Sequence, residues 1–182
     1  MGADKAIRVD PGSIELDAFV ISRILAEVIK GLDSELILTG VQADDNNDGV
    51  VGIMLAEHLG VAHSAVVVGV DPEGDEATVR VELEGGIDEV SKIRLPAVFS
   101  IQTGINEPRY VSIMGIRKAA KKELNVVTPE DLKLTQDDLS PWTTIEEVFL
   151  PPETEGAEMI EGDASTVADQ IIRILKEKGV NI

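Results

Sequence analysis

Six consecutive residues, Asp44-Asp45-Asn46-Asn47-Asp48-Gly49, gather the carboxylates and amides best placed for chemistry in this 182-residue chain. Oxygens at alternate positions suit a hard cation. Asp44, Asn46, Asp48 and Gly49 reproduce positions 1, 3, 5 and 6 of a calcium-binding helix–loop–helix, and Val51 supplies an apolar residue at position 8. The twelfth position, which requires a bidentate Glu, is Leu55, and the apolar run before the loop, Leu36-Ile37-Leu38, reads as a strand rather than a helix. Strand–loop–helix order fits a second chemistry. In open α/β sheets, ligands bind beyond the C-terminal ends of strands, where helix N-termini present free N–H groups. With no Lys or Arg between Lys30 and Arg80, a phosphate here would depend on the amides of residues 49–52. The loop is neither a P-loop nor GxGxxG. A third reading is a plain turn with Asp48 capping the helix. On the residues alone, turn and ligand loop stand level and calcium is the weaker.

Little else in the chain suggests acid–base or metal chemistry. There is no cysteine, which excludes disulfides, thiolate metal sites and a thiol nucleophile. The two histidines, His58 and His63, are badly spaced for a helical metal pair and read as polar residues at a helix end. No nucleophile–base pair stands out, so neither catalytic residues nor a metal site is expected. Sixteen basic against 34 acidic residues give a formal net charge of −18. That opposes nucleic-acid binding, which needs Lys and Arg to neutralise phosphates, and an anionic membrane surface. No apolar run reaches the roughly 18 residues of a membrane span, and no signal peptide is apparent. The expected location is the cytoplasm.

The elements that position the acidic loop follow from periodicity. Lys5–Val9 reads as a short strand. Ser13 is expected to cap a helix running to Lys30, with Leu16, Val20, Ile24 and Ile29 at helical spacing, before Gly31 breaks it. "ELILTG", "SAVVVGV" and "LPAVFSIQ" read as buried strands, and Val50–Leu59 as a helix closed by Gly60. Val79, Val81 and Leu83 alternate with polar residues, predicting a half-buried strand, a turn at Gly85-Gly86 and a partner strand near Glu89–Ile93. Ser112–Lys122 reads as a helix ending in a basic cluster. Pro- and acid-rich stretches then form an extended arm, and an amphipathic helix over Ala164–Lys178 closes the chain. Apolar residues are 43% of the chain but aromatics only 3%, so the core must be aliphatic. Alternating strands and helices predict a parallel α/β sheet.

Two long segments carry a family resemblance. "LILTGVQADDNNDGVVGIMLAEHLG" resembles the nucleotide loop of electron transfer flavoprotein beta subunits, and "LPAVFSIQTGINEPRYVSIMGIRKAAKKEL" resembles their signature segment. "MGADKAIRV", the Gly85-Gly86 hairpin, the arm and the last helix are similar as well. The resemblance implies a Rossmann-like, adenine nucleotide alpha hydrolase-like domain over residues 1–125, and an arm and helix over 126–182 that contact an alpha subunit. It implies AMP or FAD as cofactor. Donors would be an acyl-CoA dehydrogenase or another flavin dehydrogenase, and the chain would act as an electron carrier rather than an enzyme. The nucleotide loop then comprises Gly40, Val41, Gln42, Ala43, Asp44, Asp45, Asn46, Asn47, Asp48, Gly49, Val50 and Val51. Gln42, Ala43 and Asp45 match best, whereas Asp44, Asp48, Gly49 and Val50 depart from the family pattern. Val51 stands where AMP-binding members usually carry Thr and electron-bifurcating members usually carry Val.

For donor docking the resemblance implies Arg109, Tyr110, Ile113 and Lys118, with Ile113 at the anchoring position, and Glu82 at an acidic docking position. Residue patterning offers an alternative in which Ile113 and Ile116 begin a core-facing stripe. Gly104 replaces a common Arg. "MGADKAIRV" resembles an internal segment of the family, so the strands and helix that hold the adenine side are expected to be lacking. With that part lacking, an occupied and an empty nucleotide site stand as alternatives for this chain alone, and a sheet edge is left open to self-association. A non-redox adenine-nucleotide-binding protein on this scaffold and a calcium-stabilised domain remain the alternatives.

Overall fold

The computed structural model describes residues 2–153 and 156–180. Met1, at the head of the first strand segment, and Thr154 and Glu155, within the expected arm, lie outside the described residues. The chain divides into two units, Met1–Thr144 and Ile145–Ile182.

The first unit is a mixed α/β structure. Strands β1 (Ala6–Val9), β2 (Leu36–Gly40), β3 (Ala62–Glu73), β4 (Glu76–Leu83), β5 (Ile87–Arg94), β6 (Ala97–Ile101) and β7 (Leu124–Val127) form two sheets. The larger has the order β2-β6-β3-β4-β5. Its β2, β6 and β3 run parallel, while β4 and β5 are antiparallel additions. The smaller pairs β1 with β7 in parallel, Ala6 opposite Leu124 and Val9 opposite Val127. Residues 124–127 carried no strand signal in the sequence. Their half-exposed four-residue length is too short for periodicity to show.

Helices α1 (Ala18–Lys30) and α2 (Val51–Leu59) cover one face of the large sheet. There Ala26, Leu55 and Ala56 pack with Val98 of β6 and Ile37 of β2. Leu55, which sits where a calcium loop needs its Glu, is fully buried in this layer. The opposite face of β6 carries Ala97 and Phe99, packed with Val67, Ala77 and Val79 of β3 and β4. Alternation along a strand sends neighbouring side chains to opposite faces, which is how β6 feeds both clusters.

Several expectations need correction. Helix α1 starts four residues later than a Ser13 cap implies. Asp17 is the N-cap, its Oδ1 accepting from the Val20 N–H at 2.8 Å. Helix α2 is capped by Val50, with no side-chain bond, and not by Asp48. His63 lies on β3 rather than at a helix end, while His58 does occupy the last turn of α2. β2 is parallel but not buried: it lies at the sheet edge, and Leu38 is 57% exposed. The Gly85-Gly86 turn, the partner strand, the buried β6 and the left-handed Gly60 that ends α2 all occur as expected.

Residues 128–144 return to α1. A short 3-10 turn, Pro129–Leu132, is held by a reciprocal capping box between Thr128 and Asp131. Arg23 on α1 pairs with Asp138 at 2.7 Å. Trp142 stacks on Phe19 with ring centroids 4.1 Å apart and planes 13° from parallel. The Asp17 Oδ2 accepts from the N–H groups of Trp142 (2.6 Å) and Thr143 (3.0 Å).

The second unit holds helix α4 (Ala164–Glu177), capped by Asp163, which accepts from the Thr166 N–H at 2.8 Å. No residue of α4 is buried. Between Ile145 and Asp163 the described residues form no helix or strand. Among all described residues, no helix is long and apolar enough to cross a membrane.

Candidate functional site

A cleft of about 500 Å³ opens at the C-terminal ends of the parallel strands. It is lined by Gly40, Val41, Gln42 and Asp44 at the end of β2, by Ile101, Gln102 and Thr103 at the end of the neighbouring β6, and by Val66 of β3 beyond it. This is the position that the parallel topology assigns to a ligand.

The loop from β2 to α2 forms the lip. It is organised by its own short-range hydrogen bonds. The Asn47 N–H donates to the Ala43 carbonyl at 3.0 Å, and the Asn46 N–H to the Asp45 carboxylate at 2.9 Å. Asn47 and Gly49 take left-handed backbone conformations, φ +56° and +66°, which Asn tolerates and Gly adopts freely. A Cβ on Gly49 would lie 3.7 Å from the Gln42 Oε1, so the Gln42 side chain folds over that turn. Ala43 and Asp45 to Asp48 are exposed and stand off the cleft wall, as do Gly49, Val50 and Val51, which are half-buried under the start of α2. Of the twelve residues singled out in this loop, four reach the cleft.

Behind the lip, α2 sits very close to the sheet. A Cβ on Gly52 would fall 2.5 Å from the Thr39 Oγ1 and 3.4 Å from the Ser100 Cβ. Only glycine lets the first turn of α2 approach the strand ends this closely. The Thr39 Oγ1 is buried beside it and has no hydrogen-bond partner. No side chain caps α2, so its first-turn N–H groups stay uncommitted to a protein side chain. Asp44 is the only charged residue on the cleft wall, and no cation lines it.

Val66, Ile101, Gln102 and Thr103 were not anticipated. Ile101, Gln102 and Thr103 had a positional signal, at or just past the C-terminal end of β6, whereas Val66 lies inside β3 and had none. Val66 sits in a bulge where the β3–β6 register jumps between Ser64 and Val67. Its N–H donates to the Ser100 Oγ at 3.2 Å, and the next carbonyl, of Val67, accepts from the Gln102 N–H at 2.9 Å.

The residues for which the resemblance implies docking do not line this cleft. Ser112 caps α3 (Ile113–Ala119), its Oγ accepting from the Gly115 N–H at 3.0 Å. Tyr110 is fully exposed, Ile113 is 71% exposed, and Met114 and Ile116 are also exposed. A core-facing stripe is therefore ruled out for Ile113 and Ile116. Arg109 is exposed too. Lys118 borders a second, apolar-walled cavity with Lys5 and Lys122. Glu82 is an exposed residue of β4 opposite Asp88. Among the described residues, no group of three His, Asp or Glu side chains converges in a metal-ligating arrangement.

His58 is the one histidine with a tertiary role. Its ring meets Phe19 edge-on at 5.5 Å, and its Nε2 is buried without a partner. Burial first, and the Arg23 charge second, lower its pKa below the ordinary histidine value. It is a neutral packing residue behind α1 rather than a ligand.

Comparisons with known proteins identify the family. The family model "Electron transfer flavoprotein domain" matches residues 1–132. The chain is 40% identical over 181 residues to the electron transfer flavoprotein subunit beta of Methylophilus methylotrophus, covering 97% of this chain and 69% of that protein. The Bacillus subtilis (strain 168) subunit beta is 33% identical over 180 residues, 98% of this chain and 70% of that one. For the Homo sapiens subunit beta the figures are 32% over 182 residues, 98% and 68%. With a family match over most of its length and relatives above 30% identity, this chain belongs to the electron transfer flavoprotein beta-subunit family.

Proposed function

We propose that the chain holds an adenine nucleotide, AMP or the AMP moiety of FAD, in the cleft between β2, β3 and β6, and does so as one half of a heterodimeric electron carrier. The observation that carries this reading is the cleft itself, placed where the parallel strands β2 and β6 end and lined by Gly40, Val41, Gln42 and Asp44. The residues fit the group in two ways. The apolar side chains of Val41, Val66 and Ile101 suit a ribose edge, with Gln42, Gln102 and Thr103 as hydrogen-bonding partners. With Asp44 as the lone charge, phosphates would rely on the uncapped N–H groups of α2. A flavin, when bound, supplies the redox chemistry. This chain's residues bind it, orient it and exclude water, and carry out no substrate conversion of their own.

Partner binding completes the proposal. Ile145, Val148, Phe149, Leu150 and Met159 of the second unit are largely exposed, and so in part are Ile171 and Ile172 of α4. So much exposed apolar surface suits an obligate partner, the alpha subunit. Tyr110, Ile113 and Met114, flanked by Arg109 and Lys118, form an apolar anchor with a basic rim, suited to docking a flavin dehydrogenase. Glu82 is a second docking residue.

The test is to purify the chain with an alpha subunit, denature the complex, and weigh the nucleotide released. A yellow complex releasing AMP alongside FAD, or two FAD per heterodimer, supports the reading. A colourless complex releasing only AMP or ATP supports a non-redox nucleotide binder on the same scaffold. Release of no adenine nucleotide overturns the cleft assignment.

A further inference from the structure

Helix α2 joins the lip of the cleft to the layer formed by α1. Its first turn seats the lip, where Gly52 lies against Thr39 and Ser100. Its last turn carries His58, whose ring meets Phe19 of α1 edge-on. Nine helical residues span only about 13 Å, with Leu55 and Ala56 buried at the middle, so a push on one end tips the other. His58 is a half-buried titratable group in a poor setting for charge. The charges that face it are Arg23 and Lys30 on α1, Glu57 on its own helix and Asp138 on residues 128–144. Arg23 is engaged by Asp138 and Glu27, and Lys30 by Glu27. Among the described residues the buried His58 Nε2 has no hydrogen-bond partner. A neutral imidazole tolerates one unpaired nitrogen. Protonation makes that nitrogen a charged donor with no acceptor, facing the Arg23 guanidinium.

We propose that His58 is a proton-operated switch on the cleft: when its ring takes up a proton, the C-terminal end of α2 moves off Phe19, the Gly52 turn leaves its seat at Thr39, and the nucleotide is held less tightly. The inference rests on the nucleotide reading of this cleft and goes further by giving that site a regulator. Phosphates there depend on the first-turn N–H groups of α2, which no side chain caps, so a tilt of the helix reaches the ligand directly. Burial, and then the Arg23 charge, hold the His58 pKa below the ordinary value of about 6.5. The ring is therefore neutral at pH 7.5 and gains its proton only as pH falls below that value. The Asp17 and Asp138 carboxylates stay ionised at pH 5 and keep Trp142 in place throughout.

The test is isothermal titration of the full chain with AMP at pH 7.5 and pH 5, beside His58→Gln, which is neutral at both. The phosphate of AMP itself titrates at about pH 6, and the variant cancels that contribution. In the unaltered chain, affinity should fall about five-fold or more beyond any fall in His58→Gln. Coupling is reciprocal, so saturating AMP should move the His58 ring-proton titration, followed by NMR, to lower pH by the same factor. His63, the other histidine, should not move. Trp142 emission should be the same at both pH values. Identical pH profiles in the two chains, or a His58 midpoint indifferent to AMP, overturn the inference and leave the nucleotide reading standing. A fall in affinity together with a change in Trp142 emission overturns it as well, since the proton would then act by freeing residues 128–144. Should His58→Gln fail to fold, the NMR midpoint decides. If the unaltered chain binds no AMP at pH 7.5, the nucleotide reading falls, and this inference with it.

Discussion

Two Asp-bearing stretches of the first unit behave in opposite ways. In the lip of the cleft, Asp45 and Asp48 are exposed, and the bonds that shape the turn run between residues at most four apart. At α1, the nearly buried Asp17 joins the helix N-terminus to Trp142 and Thr143, 125 and 126 residues further along the chain. Asp138 does the same with Arg23, 115 residues away. The same residue type therefore makes a locally determined turn in one place and a tertiary clamp in the other. Burial and the supply of N–H groups decide between them. A lip held only by its own bonds is free to answer a ligand, whereas a clamp must persist for the fold to close.

Breaking the clamp should have the largest effect. Asp17→Ala removes a helix cap and strands two backbone N–H groups, and is expected to cost roughly 2–4 kcal/mol in urea denaturation. Trp142 is the only tryptophan, so its emission should report release of the stack on Phe19. A smaller loss would mean that the stack and the Arg23–Asp138 pair hold the segment without Asp17.

Next comes the seat of α2 behind the lip. Gly52→Ala forces a Cβ to within 2.5 Å of the Thr39 Oγ1, an overpacking expected to cost about 1–3 kcal/mol in the same assay. Full stability in that variant would show that Thr39 simply turns away.

Acid should separate the two stretches without mutation. Hydrogen bonds from the Thr135 hydroxyl and N–H, outweighing partial desolvation and aided by Arg23, hold the Asp138 pKa down to about 2. Burial would raise the Asp17 carboxyl, but hydrogen bonds from Val20, Trp142 and Thr143 outweigh it and lower its pKa. A folded pKa below the unfolded one gives stability that is complete above about pH 4 and lost as pH falls toward 2. Trp142 emission should change across that window. A transition complete above pH 5 would argue against the clamp as its cause.

The smallest effect belongs to the lip. Asp45→Ala and Asp48→Ala should each shift stability by no more than about 0.5 kcal/mol, since both side chains are exposed and bonded only locally. A larger loss would place the lip among the structural elements and erase the contrast.

How much was legible can be judged from two strands. "ELILTG" and "LPAVFSIQ" both read as buried, and both are parallel strands. β6 is buried because β2 and β3 flank it and both of its faces are packed. β2 has β6 as its sole partner among the described residues and leaves Leu38 open. An apolar run reports what a strand can bury, not which neighbours it receives. The start of α1 was misplaced for a related reason. Ser13 and Asp17 are both competent caps, and Asp17 was selected by its second set of bonds to Trp142 and Thr143. In the candidate site, the loop from Gly40 was visible as a strand–loop–helix junction. Val66, Ile101, Gln102 and Thr103 were not, because only sheet order brings the ends of β2 and β6 beside the bulge in β3.

The sequence by itself determined the alternation of strands and helices, the hairpin, the exposed polar loop and the family resemblance. Each of these is written in local periodicity, turn residues or contiguous motifs. Tertiary structure alone decided which strand became the edge, which Asp became a clamp, and which four loop residues face the cleft. Those outcomes depend on pairing and burial between residues far apart in the chain, which no local pattern encodes.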